Sequence, residues 1–441
     1  GYIPGWKALA DVAHENGAKL FCQLHPAKFQ AGRGVSVEDI NEFTTDDIRR
    51  LVDSYAECAL RARRAGVDGV EIHGAHAHEV AQFLSPFYNR RTDAFGGSVE
   101  KRAQFGVKIV EGIKRKTGAD YPLIFRISGD EMVDGGRRID ETAEIARLLE
   151  QAGADAIHVS CGMPESEYAI SAPMDIEAMF NVDNAAKVKE AVSIPVIAVN
   201  RIVDMEQADE VIRSGKADLV SMARAQLADP DIVAKYEGRA SGPVRHCIGC
   251  NQGCRDAARY KKIRCMQNAR LGFEAVLNFV PATEEEKKQK ILIAGAGPAG
   301  LEAAYDLSLR GFRPVVCEQE DRAGGLINLA KLPPHKKSMQ EITNFRVDAL
   351  KQAGIEIRYR TRVTPELLER EKPDVLIVAT GSAAAVPPIP GVDGDRVVTG
   401  DELLAGRRTL RGEHFVVLGG GLVGCEAADY LAQNGSQHID Q

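Results

Sequence analysis

The stretch Ile291-Leu-Ile-Ala-Gly-Ala-Gly-Pro-Ala-Gly300 carries the clearest structural signal in this chain. Its first four residues predict a buried parallel strand, and its glycines follow the spacing G-x-G-x-x-G. These glycines are Gly295, Gly297 and Gly300. Such a loop allows a tight turn and a close approach of the backbone to a pyrophosphate, which rests on the N-terminus of the following helix. The stretch therefore predicts a Rossmann-like dinucleotide-binding fold.

The residues that follow complete this pattern. A helix is predicted next, and then a second strand over 314–317 that ends at Glu318. An acidic residue at this point is placed to bind ribose hydroxyls. Two further glycines are candidates for contact with the same cofactor: Gly325, and Gly381 at the end of the apolar run that begins at Val375.

A second glycine-rich segment, Phe415-Val-Val-Leu-Gly-Gly-Gly-Leu-Val-Gly424, repeats the spacing. Its matching residues are Gly419, Gly421 and Gly424. Two dinucleotide folds imply two dinucleotides, typically a flavin and a nicotinamide. The acid expected about 20 residues after the second loop lies beyond Gln441, so the sequence does not distinguish NADH from NADPH.

Four cysteines lie close together before the first glycine loop: Cys247, Cys250, Cys254 and Cys265. Thiolates at such spacing suit an iron–sulfur cluster held by four Cys ligands. A structural zinc site is the alternative, but zinc sites usually place their ligands in two C-x2-C pairs, and here the third cysteine follows too early. An electron carrier next to a dinucleotide fold indicates redox chemistry.

Residues 1 to about 235 alternate short apolar runs with amphipathic stretches. The predicted strands are 20–24, 69–73, 123–127, 156–159, 196–199 and 219–222. Strands that alternate with helices predict parallel strands joined by helical crossovers. We therefore predict an α/β fold in this half, a TIM (β/α)8 barrel without its first two strands, and a doubly wound open sheet is the alternative.

Polar residues follow the ends of these predicted strands. In sequence order they are Gln23, His73, His76, Arg126, Asn200, Arg201 and Arg224. The functional residues of a barrel lie at the C-terminal ends of its strands, so together these residues predict an active site. For any single one of them, a helix cap or a salt bridge is an equally good explanation.

Composition limits the class of protein. The chain has 441 residues, a formal net charge of −7 and 44% hydrophobic residues, as in an ordinary soluble protein of about three domains. The negative charge argues against a nucleic-acid-binding protein, and no apolar run reaches the length of a membrane span. Four of the nine cysteines are candidate ligands, which fits a reducing cytoplasm better than a disulfide framework.

Four segments are predicted along the chain. They are a catalytic barrel (1–240), a cluster-binding segment with a charged linker (241–287), a first dinucleotide domain (288–405) and the start of a second (406–441). The chain opens without Met, and 436–441 does not resemble the buried strand expected after the second glycine loop. We therefore expect a fragment truncated at both ends.

Three motifs resemble the Old Yellow Enzyme-like barrel: Gly69-Val-Glu-Ile-His-Gly-Ala-His76, Gln82-Phe-Leu-Ser-Pro86 and Asn89-Arg-Arg-Thr-Asp93. With the cysteine motif and the two glycine loops, the chain is similar to the long multidomain branch of that family. This branch includes 2,4-dienoyl-CoA reductase, enoate reductase, trimethylamine dehydrogenase and the bile-acid-inducible flavin oxidoreductases. The resemblance covers nearly the whole chain.

The resemblance implies FMN in the barrel, a [4Fe-4S] cluster on the four cysteines, and FAD with NAD(P)H in the second half. By matching position, Gln23 and Arg126 contact the flavin ring, and His73 and His76 hydrogen-bond the carbonyl or carboxylate of the substrate. The loops after the last two barrel strands hold the FMN phosphate, and their matching residues are Asn200, Arg201, Ala223 and Arg224.

One position departs from the family pattern. Reductases of this family commonly have Tyr two residues after the second histidine as the acid that protonates the substrate, and this chain has His78 there. A tyrosine donates its proton at a pKa of about 10 and a histidine at about 6.5. Either His78 donates instead, or another group or water does, or the enzyme runs as a dehydrogenase. A side chain that points outwards is the alternative without a function.

The leading hypothesis is an ene-reductase that uses NAD(P)H to reduce an activated C=C bond of a small molecule. A second hypothesis is a dehydrogenase of an amine or a saturated ketone, whose electrons leave through the cluster. A third is a non-catalytic electron-transfer flavoprotein. Neither nucleic acid nor membrane is expected as a partner, and an oligomer is compatible with the sequence.

Overall fold

A computed structural model describes residues 2–25, 39–256, 262–277, 279–407, 414–434 and 438–440. The chain divides into two compact units. The barrel unit comprises residues 1–223 and 255–261, and the dinucleotide unit comprises residues 224–254 and 262–441. The segment with the first three clustered cysteines therefore belongs to the same unit as the glycine loops.

The barrel unit contains six parallel strands in sequential order. They are β1 (Phe21–Leu24), β2 (Gly69–Gly74), β3 (Leu123–Ser128), β4 (Ala156–Ser160), β5 (Val196–Ala198) and β6 (Leu219–Val220). A doubly wound sheet reverses its strand order at a switch point, and these strands show no such reversal. The order is that of a barrel wall, which confirms the predicted architecture.

Helices follow the strands and cover the wall. In the barrel unit they are α1 (Ile3–Glu15), α2 (Thr45–Arg64), α3 (Glu79–Leu84), α4 (Val99–Thr117), α5 (Ile139–Gln151), α6 (Glu167–Ile170), α7 (Val182–Lys189) and α8 (Met205–Arg213), with 3-10 turns at Ile40–Glu42 and Pro164–Ser166. Helix α2 begins with a capping box in which Thr44 and Asp47 satisfy each other's backbone N–H. Its apolar stripe, including Ile48 and Val52, is buried in the core.

The register of the wall brings distant polar residues side by side. Arg126 of β3 pairs with His73 of β2 on one side and with His158 of β4 on the other. Gln23 of β1 pairs with Glu71 of β2. Because all strands run in the same direction, their C-terminal ends meet at one edge of the wall, where a barrel places its active site.

The dinucleotide unit contains a four-stranded parallel sheet in the order β10-β7-β8-β9. The strands are β7 (Ile291–Ala294), β8 (Val315–Cys317), β9 (Glu356–Arg358) and β10 (Val375–Val378). The order reverses next to β7, and ligands of such sheets bind at the carboxyl ends of the strands beside this switch point. The predicted glycine loop follows β7 directly, which confirms the Rossmann-like fold.

A separate pair of parallel strands carries the second glycine loop: β11 (His414–Val416) and β12 (His438–Asp440). The expectation that 436–441 forms no strand is therefore wrong for 438–440. Pairing with β11 supplies the strand, although the segment has no apolar run of its own.

The helices of the remaining chain are α9 (Ala223–Ala228), α10 (Ile232–Tyr236), α11 (Pro298–Leu309), α12 (Ile327–Ala330), α13 (Glu341–Gln352), α14 (Pro365–Glu371), α15 (Gly400–Leu404) and α16 (Leu422–Gln433), with 3-10 turns at Glu286–Lys288 and Lys337–Gln340. Helices α11 and α16 each begin directly after a glycine loop, so their N-termini face the place where a pyrophosphate binds in this fold.

Candidate functional site

Four histidines gather at the C-terminal ends of β1 and β2. The ring centroid of His73 lies 5.1 Å from that of His76 and 4.3 Å from that of His78. His25, directly after β1, lies 5.8 Å from His78. His76 and its neighbour Ala77 have left-handed backbones, with φ of 59° and 55°, and such strain persists only where surrounding structure holds it. The sequence predicted three of these rings and missed His25, although its position after a strand was the available signal.

Ser160, the last residue of β4, connects the histidines to Arg126. His76 Nε2 lies 2.7 Å from Ser160 Oγ, and Arg126 Nη2 donates to the same hydroxyl at 3.2 Å. Ser160 is fully buried. The structure thus brings together His73, His76 and Arg126 as predicted, and it adds a serine that sequence reasoning did not single out.

A second polar network, in which only His158 is buried, lies on strands β1, β2 and β4. Gln23 Nε2 donates to Glu71 Oε1 at 2.6 Å, and His158 Nδ1 lies 2.7 Å from Glu71 Oε2. Burial raises the pKa of Glu71, but the hydrogen bond and charge of His158 and the charge of Arg126 outweigh burial and hold that pKa below its usual value. The amide nitrogen of Gln23 is therefore engaged with a carboxylate, while its carbonyl oxygen is left for other contacts.

The environment of His73, His76 and His78 disfavours their charged forms. Burial is the main cause that lowers the pKa of His73, His76 and His78, and the charges of Arg126 and of neighbouring imidazoles lower it further. Neutral imidazoles each keep one N–H donor and one acceptor. They are therefore suited to hydrogen-bond a carbonyl group without carrying a charge themselves.

Several polar atoms of this site are buried without a hydrogen-bond partner among the described residues. They are His73 Nδ1, Arg126 Nε and His158 Nε2. Such orphaned groups are costly in a folded protein unless a ligand, ion or water satisfies them. A flavin edge and a substrate carbonyl are chemically suitable partners, so the residues fit an FMN site.

The predicted phosphate-binding turn after β5 has an unusual backbone. Asn200 and Arg201 have φ of 90° and 53°. Asn200 Nδ2 donates to the carbonyl oxygen of Ala169 at 3.0 Å, Asn181 Nδ2 donates to Asn200 Oδ1 at 3.1 Å, and Arg201 donates to the carbonyl oxygen of Pro173. These bonds join the loops after β4 and β5, and contact of either residue with a phosphate stays a prediction.

Ala223 and Arg224 are the first two residues of α9. Arg224 Nη1 donates to Asn251 Oδ1 at 2.6 Å, within the dinucleotide unit. Arg224 thus lies beside the clustered cysteines, and its charge lowers the pKa of Cys247, against the stronger opposite effect of burial. Its predicted role at the FMN phosphate is not tested by this contact.

The four predicted ligand cysteines line one cavity of the dinucleotide unit. The other residues of its wall include Arg224, Leu227, Ile248, Asn251, Met266 and Gln267. The loop that carries the cysteines has left-handed residues at Gly249, Asn251 and Gly253, with φ of 68°, 57° and 87°. A Cβ on Gly253 would lie 2.9 Å from the carbonyl oxygen of Arg264, so this position requires glycine.

Backbone amides point at these thiols. Three of the sulfurs accept a hydrogen bond from the N–H two residues further on: Cys247 from Gly249, Cys250 from Gln252, and Cys265 from Gln267 at 3.4 Å. Burial is the main cause that raises the pKa of Cys250 to about 11, and the neighbouring thiols add to it. If all four sulfurs were ionised, they would require positive charge between them. Within the described ranges, no three His, Cys, Asp or Glu side chains are arranged around a single ion.

The first glycine loop has no room for side chains at two of its three glycines. A Cβ on Gly295 would lie 2.4 Å from the carbonyl oxygen of Ala379, and one on Gly300 would lie 2.0 Å from the carbonyl oxygen of Gly295. Gly297 has no atom within 4 Å of its Cβ direction, which leaves space for a ligand. A Cβ on Gly325, in another turn, would lie 3.2 Å from Gly297 Cα.

Glu318 turns back towards this loop. It is buried, and its Oε2 accepts a hydrogen bond from the backbone N–H of Ala296 at 2.8 Å, while Oε1 accepts from Glu320 N at 2.9 Å. The carboxylate is thus fixed beside the loop, as the prediction of a ribose contact requires. Gly381, at the end of β10, has φ of 77° and open space around its Cβ direction.

The second loop repeats this geometry. A Cβ on Gly424 would lie 1.7 Å from the carbonyl oxygen of Gly419, while Gly419 and Gly421 face open space. The third glycine of each loop therefore packs against the carbonyl oxygen of the first.

No cysteine of the described part of the chain forms a disulfide. Among the helices described, none combines the length and the apolar character that a membrane crossing requires.

Two family models match this chain. The model of the NADH:flavin oxidoreductase / NADH oxidase family matches residues 1–241, and that of pyridine nucleotide-disulphide oxidoreductases matches residues 289–439. Among curated relatives, a metal reductase of Desulforamulus reducens is 37% identical over 459 residues, which cover 99% of this chain and 67% of the relative. An NADH oxidase of Thermoanaerobacter brockii is 35% identical over 457 residues, with coverage of 99% and 70%.

Solved structures are also similar to this chain over nearly its whole length. A complex of 2-naphthoyl-CoA reductase with 2-naphthoyl-CoA has a TM-score of 0.90 and 29% identity, and it is matched over 99% of this chain and 71% of that one. Histamine dehydrogenase from Rhizobium sp. 4-9 has a TM-score of 0.86 and 26% identity, with coverage of 99% and 68%. The flavin-type barrel and the pyridine-nucleotide fold thus occur together in these relatives. The chain belongs to the NADH:flavin oxidoreductase / NADH oxidase family.

Proposed function

We propose that this enzyme uses NAD(P)H to reduce an activated C=C bond, with FMN in the barrel unit and FAD and a [4Fe-4S] cluster in the dinucleotide unit. The observation that carries the proposal is the group of His73, His76 and His78 beside Arg126, in which the buried His73 Nδ1 has no partner among the described residues. When bound, FMN would supply the hydride, the nicotinamide and FAD its electrons, and the cluster single-electron transfer between them.

The protein's own residues would stabilise the charge that develops on the substrate. As hydride adds to the β-carbon, negative charge moves to the carbonyl oxygen. His73 and His76 would donate hydrogen bonds to that oxygen, and preorganised donors of this kind usually supply the largest catalytic effect. Ser160, held between His76 and Arg126, would fix the orientation of the His76 ring. The proton for the α-carbon would come from water or another group, or from the charged form of His78, which is packed on His73 and whose charged form burial disfavours.

The cysteine cavity supports the second part of the proposal. All four sulfurs line it, and three of them accept backbone N–H bonds, which stabilise thiolates. A zinc ion needs all four sulfurs about 2.3 Å from one centre. A four-iron cluster takes one thiolate at each iron and so suits sulfurs that lie further apart.

The Cys254→Ala variant tests the electron path. We expect it to lose NAD(P)H-driven turnover, because one cluster ligand is gone, while dithionite still reduces FMN. The control is Cys58→Ala, which removes a half-buried thiol of α2 in the barrel unit. Normal turnover of Cys254→Ala with NAD(P)H would exclude the cluster as a relay.

The substrate class is tested with the full-length enzyme, purified without oxygen and reduced by NAD(P)H. Reoxidation of its flavin is then followed on mixing with enoates, enoyl-CoAs, cyclic enones and steroid enones. Rapid reoxidation by one class supports the ene-reductase and identifies its substrate type.

A second function is favoured by one observation. The chain has His78 where reductases of this family commonly have tyrosine, and its fold matches that of histamine dehydrogenase over 99% of this chain and 68% of that one. Reduction of the flavins by NAD(P)H without reoxidation by any alkene would favour a dehydrogenase of an amine or a saturated ketone.

A further inference from the structure

A buried arginine connects the cysteine cavity with the helix of the first glycine loop. Arg346 lies on α13 and is 3% exposed. Its Nη1 donates to Gln267 Oε1 at 3.2 Å, and its Nη2 donates to the carbonyl oxygen of Gln267 at 3.3 Å. Neither atom of Gln267 is a cofactor ligand, so the guanidinium acts on this residue and not on a cofactor directly.

Gln267 passes this contact on to a sulfur. Its backbone N–H donates to Cys265 Sγ at 3.4 Å, and its side-chain Nε2 donates to the carbonyl oxygen of His246 at 3.1 Å. Gln267 is 1% exposed, so both of its ends are fixed inside the protein. The positive charge of Arg346 is therefore two hydrogen bonds away from a predicted cluster ligand, in a region with little solvent to screen it.

The other side of Arg346 faces a negative charge. Its Nε lies 2.6 Å from Glu302 Oε2. The N–H does not point at this oxygen, so the contact is an ion pair without a hydrogen bond along that N–H. Glu302 belongs to α11, the helix that begins at the first glycine loop. A buried arginine and a partly buried glutamate of opposite charge thus link the cysteine cavity to the helix of the first glycine loop.

We propose that Arg346 and Glu302 set the reduction potential of the iron–sulfur cluster in opposite directions, Arg346 raising it and Glu302 lowering it. The inference rests on the proposed cluster. A reduced cluster carries one more negative charge than an oxidised one, so a nearby cation favours the reduced form and an anion the oxidised form. Both are positioning residues that act through Gln267 and the local field, and neither binds the cluster.

The test is an anaerobic redox titration of the full-length protein, in which the reduced cluster is followed by electron paramagnetic resonance. At the potential where the wild type is half reduced, Arg346→Met is expected to lower the ratio of reduced to oxidised cluster about tenfold, which equals about 59 mV for one electron. Glu302→Gln is expected to raise that ratio by a similar factor. The double variant should return close to the wild-type ratio, because both charges are gone.

Two controls separate charge from structural damage. Arg346→Lys keeps the positive charge and should stay within about threefold of the wild-type ratio. Arg370→Met removes an exposed arginine of α14 and should have no effect. If Arg346→Met loses the cluster, the result for Glu302→Gln alone tests the inference. A higher ratio of reduced to oxidised cluster in Glu302→Gln cannot be explained by damage to the cluster site.

The outcomes distinguish this inference from the proposed function. If Arg346→Met and Glu302→Gln both contain the cluster and its reduction potential equals that of the wild type, the inference is overturned. The proposed function then stays intact. A full-length protein that binds no iron when purified without oxygen overturns the proposed electron path, and the inference with it. Shifts of opposite sign in the two single variants support both.

Discussion

The first glycine loop and the histidine site have opposite requirements. In the loop, a Cβ on Gly300 would lie 2.0 Å from the carbonyl oxygen of Gly295, so the site depends on the absence of side-chain atoms. In the histidine site, His73 Nδ1 and Arg126 Nε are buried without hydrogen-bond partners in the described residues, so the site depends on polar atoms held ready. We therefore expect the loop to lose its cofactor when a side-chain atom is added. We expect the histidine site to lose activity when a polar atom is removed.

The largest effect is expected from Gly300→Ala. The new methyl group would meet backbone that cannot move away, and we expect the unfolding free energy of the dinucleotide unit to fall by about 3 kcal/mol or more. The purified protein should then contain FMN but no FAD, which extraction and chromatography of the flavins would measure.

Gly297→Ala is the matched control in the same loop. Its Cβ has open space, so thermal unfolding should be nearly unchanged while the affinity for FAD falls because the methyl group occupies ligand space. If both variants retain FAD and unfold like the wild type, the loop does not bind a pyrophosphate in the proposed way.

A smaller effect is expected when one hydroxyl is removed from the histidine site. Ser160→Ala takes away the partner shared by His76 and Arg126. We expect flavin reoxidation by an enone such as 2-cyclohexenone to slow by about 10- to 100-fold, since both groups lose their fixed orientation. Stopped-flow absorbance would measure this rate, and reduction of the flavins by NAD(P)H should be unchanged.

Ser128→Ala is the control for this change. Ser128 ends the neighbouring strand β3 and is similarly buried, and its hydroxyl bonds backbone groups: it donates to the carbonyl oxygen of Gly162 and accepts from the N–H of His76. Its removal should cost a similar stability of about 1 kcal/mol with little change in rate. Equal slowing in both variants would mean that Ser160 only supports the fold.

The same contrast explains what the sequence could predict. The glycine loops were predicted residue by residue, because their geometry depends on neighbours in the chain: strand, turn and helix follow one another within 291–309. The six barrel strands were likewise found within about two residues of their predicted bounds. The local sequence pattern was sufficient in both cases, because burial and backbone conformation depend there on residues that are adjacent in the chain.

The network below the histidines could not be predicted in this way. Glu71 and His158 meet at 2.7 Å although they are 87 positions apart, and only the register of β2, β3 and β4 brings them together. Both residues lie inside strands whose other residues are mostly apolar, so the sequence pattern did not single them out. The strand at 438–440 was missed for a related reason, because its partner β11, and not its own composition, makes it a strand.

The stabilities of the two units should respond to pH in opposite directions. Burial lowers the pKa values of His73, His76 and His78. Below about pH 6.5, these histidines therefore bind protons in the unfolded chain but not in the folded one. The stability that they contribute is fully present above pH 6.5 and is lost as the pH falls, at up to about 1.4 kcal/mol per pH unit for each of His73 and His76 and by less for the more exposed His78. The barrel unit should therefore become less stable on acidification.

Asp306 on α11 should give the dinucleotide unit the opposite trend. Burial, with the charge of Glu302, raises its pKa to about 6. Its contribution is therefore present below the unfolded value near 4 and is lost as the pH rises through 6, by about 1 kcal/mol once solvent screening is allowed for. Hydrogen exchange of β2 and α11 between pH 4.5 and 7, corrected for intrinsic rates, should show opposite slopes, and Asp306→Asn should remove the slope of α11 alone. Parallel slopes in the two elements, unchanged in Asp306→Asn, would mean that these buried groups do not control the stability of their units.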